Sequence, residues 1–78
     1  MTLRELNLGQ LARIDEVDAK QPGVVRLMVL GLIEGAEVQY ENSAIGGDPM
    51  EVSVHGAAIS IRKQQADCFR ISPIVPNA

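Results

Sequence analysis

By residue type, His55 and Cys68 are the side chains of this 78-residue chain best suited to nucleophilic or soft-metal chemistry, and each type occurs once. A hydrolytic triad needs a Ser or Cys nucleophile, a histidine base and an acid that converge in space. His55 instead falls in His55-Gly56, the pair of residues separating two alternating apolar runs, which is the spacing of a water-exposed hairpin turn. Histidine tolerates the positive φ of such a turn, so a backbone role is favoured over metal binding or proton transfer. Cys68 has no second cysteine and no nearby histidine at zinc-ligand spacing, and it reads as a small apolar filler.

Carboxylates offer a second kind of chemistry. Asp15, Glu16 and Asp18 lie close together, as do Glu34, Glu37 and Glu41, and clustered oxygens bind hard cations. Strand alternation places most of them on a solvated face, and neither group has a calcium-loop pattern, so a solvated surface is the favoured reading. Gly46-Gly47-Asp48-Pro49 lacks the lysine and the following helix of a phosphate-cradling loop and reads as a bend between strands. No cofactor is expected. What remains is an interaction surface. Leu27, Leu30, Gly31, Leu32, Ile33 and Glu34 belong to a segment with more apolar surface than one thin barrel covers, which makes them the candidate partner-binding residues. Weak self-association through the same face is a further expectation. Val25 and Met28 are expected in the core, while Leu27, Leu30 and Ile33 are balanced between core and surface.

The elements that must hold this surface follow from glycine punctuation and periodicity. Pro22 suits a first helical position, and Val25, Met28, Val29 and Leu32 recur at helical spacing, which predicts a helix from Pro22 to Leu30. Gly31 stands where a left-handed residue closes a last turn, and Glu34-Gly35 predicts a second reversal. Before them, Thr2-Leu3-Arg4-Glu5 has the capping-box pattern of a short helical turn, with Leu3, Leu6 and Leu8 folding onto the core. Leu11 to Val17 reads as a strand with Ala12 and Ile14 inward, and the extra apolar Val17 hints at a bulge. Glu37 to Asn42 alternates as another strand, with Val38 and Tyr40 on one side.

The hairpin around His55-Gly56 allows register to be computed. Val54 faces Ala57, Val52 faces Ile59 and Met50 faces Ile61, which makes one face wholly apolar, while Ser53 faces Ala58 and Glu51 faces Ser60 on the other. A slip of one residue would bury Glu51 and Ser53, so the pattern specifies the pairing. Arg62 to Cys68 predicts one helical turn, and Phe69, Ile71 and Ile74 a last short strand limited by Pro73 and Pro76. The expected fold class is mainly β: a small SH3-like antiparallel barrel of about five strands with one inserted α-helix and a short N-terminal helical turn, residues 1–78 forming a single domain.

Composition bounds the function. A chain of 78 residues buries only about 60% of its unfolded surface, which leaves little room for an enclosed active site. Its hydrophobic share is 46% and its aromatic share 3%, so the core is aliphatic. A formal net charge of −3 and the lack of a basic cluster argue against nucleic acid, whose affinity comes mainly from clustered Lys and Arg. Only Tyr40 and Phe69 could stack on bases. The lone cysteine fits a reducing compartment, so a cytoplasmic location is expected. The run from Val24 to Ile33 is far shorter than the ~20 residues of a membrane span, and direct insertion is not expected.

The residues just described resemble the FeoA family, the small cytoplasmic component of bacterial ferrous iron uptake. The likeness is carried by Leu6-x-x-Gly9-x-x-Ala12-x-Ile14, Arg26-Leu27-Met28-x-Leu30-Gly31-Leu32-x-x-Gly35-x-x-Val38, Gly47-Asp48-Pro49 with Val52 and Val54, and Ile61-Arg62-x-x-x-Ala66 before Ile71. Two positions depart: Glu34 stands where the family usually has proline, and Ile61 where leucine is common. The resemblance implies an SH3-like barrel that serves a FeoB-type membrane GTPase permease as a non-enzymatic adaptor or regulator. It extends to the C-terminal domain of DtxR-type iron-dependent repressors, which implies the alternative of a divalent metal-sensing or metal-delivery domain using the acidic residues or His55.

Overall fold

A computed structural model describes residues 1–75. A 3₁₀ turn over Leu3–Glu5 leads to β1 (Leu11–Val17), α1 (Val24–Val29), β2 (Glu37–Ser43), β3 (Met50–Val54), β4 (Ala57–Ile61), α2 (Lys63–Ala66) and β5 (Phe69–Ile74). The strands form one antiparallel sheet in the order β4-β3-β2-β1-β5. Register shifts near Asp15 in β1 and Glu41 in β2 bend it, since a bulge raises local twist. The bulge anticipated from Val17 is therefore present, one turn of the pleat earlier.

The sheet bends around an aliphatic core that includes Ala12, Ile14, Val38, Val52, Ile61 and Phe69, with Leu3 and Leu6 closing one end. Leu8, expected to join them, is exposed. The chain has already turned outward there to reach Gly9, whose N–H donates to the Tyr40 carbonyl at 2.7 Å. In the 3₁₀ turn the Glu5 carboxylate accepts the Thr2 backbone N–H at 2.8 Å.

The hairpin forms with the register computed from its pattern: Val54 pairs with Ala57, Val52 with Ile59 and Met50 with Ile61. Its turn needs two left-handed residues, and His55 and Gly56 supply them at φ 50° and 78°. Ala57 alone on the inward face stays exposed.

α1 departs from expectation at both ends and in its phase. It is a six-residue helix beginning after Gly23, whose φ of 85° makes that residue, and not Pro22, the point of entry. Val24, Leu27 and Leu32 are buried, whereas Val25 and Val29 of the expected stripe face solvent. Six residues with apolar groups on every side do not declare which side is inward, and the tertiary setting decides. Pro73 lies inside β5 rather than ending it, opposite Ala12 and on a terminal strand where a missing donor is tolerated. Pro76 lies outside the described residues.

Candidate partner-binding surface

The segment from Leu27 to Gly35 is held by two consecutive backbone locks. The Leu32 N–H donates to the Leu27 carbonyl at 3.1 Å and the Gly31 N–H to the Met28 carbonyl at 3.0 Å. This is a Schellman closure, and it needs the positive φ that Gly31 takes at 121°. The Ala36 N–H then donates to the Ile33 carbonyl at 3.0 Å, closing a turn, and the Gly35 N–H donates to the Ile14 carbonyl of β1 at 2.7 Å. The whole reversal is thereby fixed to the sheet. Its other side rests on the hairpin tip: a Cβ at Gly31 would stand 3.5 Å from the His55 ring and 3.6 Å from Val54.

The locks sort the predicted residues into two groups. Leu27 and Leu32, 1% and 0% exposed, are pulled into the core and present no side chain to a partner, which corrects the sequence expectation for both. Leu30 and Ile33 remain 47% and 46% exposed, with Glu34 exposed beside them. Val29 adds to the patch and is the most open of its residues, at 82%. Periodicity had placed Val25 and Val29 inside, and only the observed phase of α1 brings them to the surface.

Leu30 also borders an open cleft of about 390 Å³ whose other walls are Arg26, Ala57, Ala58, Ile59 and Ser60. The α1 patch thus continues onto β4. Among the described residues Arg26 has no carboxylate within ion-pair distance, so the surface has an unpaired cation at one side and Glu34 at the other. The β4 contribution escaped sequence reading, although the signal was there: Ala57 to Ile61 carries no charged residue.

The chemistry-bearing residues do not converge. Among the described residues no group of three His, Cys, Asp or Glu side chains could share a metal ion. Asp15 is engaged by the Ser72 hydroxyl and by Arg13, and Glu41 accepts from the Ser53 hydroxyl at 2.9 Å. Asp48 accepts the Lys63 N–H at 3.1 Å, joining the β2–β3 loop to the first turn of α2. Cys68 packs against the core beside a cleft of about 450 Å³ lined in part by Glu16, Asp18, Lys20, Asp67 and Arg70. Burial pushes its thiol up, and the nearby Asp18 and Asp67 carboxylates push the same way. A thiol kept protonated is a poor nucleophile and a poor metal ligand.

The FeoA domain model matches residues 1–73 of this chain. The chain belongs to the FeoA family. Its structure superposes on the Chlorobium tepidum FeoA protein with a TM-score of 0.88 at 32% identity, covering 100% of this chain and 74% of that one. It matches a zinc-complexed FeoA from Stenotrophomonas maltophilia with a TM-score of 0.79 at 30% identity, covering 92% of this chain and 89% of the other. That protein is described as a prokaryotic SH3 domain protein and a suggested ferrous iron transport activating factor. The fold alone is shared with T. acidophilum IdeR, with a TM-score of 0.80 at 23% identity over 95% of this chain and 34% of that one. No curated relative matches. The SH3-like architecture expected from strand count and turn chemistry is thus shared with a FeoA-family structure, and among the described residues no helix is long and apolar enough to cross a membrane.

Proposed function

We propose that this FeoA-family protein is a non-enzymatic adaptor that regulates a FeoB-type membrane GTPase permease by docking on its cytoplasmic part. The observation that carries this reading is the rigid, exposed turn at the end of α1. Leu30 and Ile33 stand out from a backbone locked on both sides by the Gly31 closure and the Gly35 bond to β1. Preorganised apolar side chains lose little entropy on association, which is what a small docking module needs. Val29 and Glu34 flank the turn, and Leu27 and Leu32 support it from below. Among the described residues no helix is long and apolar enough to cross a membrane, and a module of this kind influences ion passage through a membrane partner.

The test is a pull-down with the soluble G-domain region of a FeoB-type permease. Leu30→Glu and Ile33→Glu variants, shown to be folded by circular dichroism, are expected to lose capture of that region. Wild-type capture by both variants would remove the proposed surface. The metal-sensing alternative has less support, because among the described residues no three His, Cys, Asp or Glu side chains come together to hold an ion. Anaerobic calorimetry with Fe²⁺ discriminates, a silent titration being the expected result.

A further inference from the structure

The two terminal strands of the sheet are treated differently. β5 is covered: Thr2 bridges to Arg70, and the Ile71 N–H donates to the Met1 carbonyl at 2.9 Å, so the N-terminus runs along its outer edge. β4 pairs with β3 alone. In a hairpin with a turn of two residues, the pair flanking the turn is hydrogen-bonded and the next is not. Val54–Ala57, Val52–Ile59 and Met50–Ile61 are therefore the bonded pairs, and the backbone N–H and C=O groups of Ala58 and Ser60 point away from the sheet. Both residues are exposed, and among the described residues no bond from outside the ladder reaches them.

An open edge is ordinarily protected by a lysine, a proline, an inward charge or a bulge. β4 has none of these: Ala57-Ala58-Ile59-Ser60-Ile61 is uncharged, and its pairing with β3 is regular along its whole length. We propose that this edge is an interface between two copies of the chain, in which β4 pairs antiparallel with β4 of a second molecule about a two-fold axis at Ile59.

The occupant follows from the pattern of the edge. Centring the axis on Ile59 places Ala58 of each copy opposite Ser60 of the other, each such pair exchanging both N–H···O bonds, with Ile59 opposite Ile59 as the non-bonded pair between them. The outward groups of one copy are therefore met in register by those of the other. The side chains opposed on the solvated face, Ala58 and Ser60, are small, and none along the strand is charged, so copies that each carry a net charge of −3 bring no like charges together along it. The cleft that Leu30 and Arg26 form with β4 lies along this edge, so pairing also narrows the solvent access of Leu30.

Sedimentation equilibrium on the full chain tests this. The wild type is expected to shift from the monomer mass toward twice that value as concentration rises into the millimolar range, undiminished at high salt. Ala58→Pro removes an outward donor without touching a β3–β4 bond and is expected to stay monomeric. The Ala58→Lys/Ser60→Lys variant opposes like charges across the axis and is expected to stay monomeric too. Ala58→Glu/Ser60→Lys sets opposite charges across it and is expected to dimerise, which separates this register from any other. Should Ala58→Pro fail to fold, the two charge variants decide the matter, because their side chains lie on the solvated face. A wild type monomeric throughout, a dimer dissolved by salt, or charge variants that associate alike would each overturn the interface.

Discussion

At Gly31 an added carbon atom acts through the backbone and not through space. A methyl group there meets Val54 and the His55 ring only at ordinary contact distance, 3.5 Å or more, so space is not the obstacle. The obstacle is a φ of 121°, which residues with a Cβ rarely adopt. Gly31→Ala is expected to destabilise the protein by about 1–3 kcal/mol, read from urea unfolding, because local backbone strain of this kind costs that much. Cys68 acts on stability through its proton. At pH values below about 9.0, its ordinary value, folded and unfolded chains both carry the neutral thiol and the group contributes no pH dependence. As pH rises further the unfolded chain releases its proton first, since the folded thiol is held higher, and stability declines until the folded thiol also ionises. Unfolding curves collected across the alkaline range should show this decline in the wild type and a shallower one in Cys68→Ala.

At the scale of an element, α1 separates residues that hold the fold from residues that are free to bind. Leu27→Ala removes a fully buried side chain and should cost about 2–5 kcal/mol, enough to unfold much of a domain this small. Val29→Ala, two residues on, should change stability by less than about 0.5 kcal/mol. Circular dichroism during denaturant titration distinguishes the two outcomes. The same contrast explains which parts of the protein its sequence displays. The β3–β4 hairpin is readable because a turn of two residues fixes register and only one register buries Met50, Val52, Ile59 and Ile61 together. The reversal at Gly31 and Gly35 is readable because positive φ demands glycine. The phase of α1 is not, since Val24, Val25, Leu27, Met28, Val29 and Leu30 are apolar on all sides and burial is settled by the closure that draws Leu27 and Leu32 inward. The strap along β5 also leaves no pattern, because backbone bonds from Met1 and Thr2 impose no side-chain preference.

Across the whole molecule, the N-terminal strap and the bare β4 edge are two answers to one problem, the unpaired rim of an open sheet. Removing residues 1–6 would strip the β5 edge and take Leu3 and Leu6 from the core. The shortened chain should aggregate on refolding, seen as light scattering absent from the full chain, because it exposes a rim and apolar surface together. β1 lies between β2 and β5, so it finds one neighbour only in the strand furthest from it in sequence. Contacts so distant in sequence form slowly and late. Until Phe69 to Ile74 has emerged from the ribosome, β1 has no outer neighbour and Met1 and Thr2 have nothing to strap, so the complete sheet closes only after that strand is made.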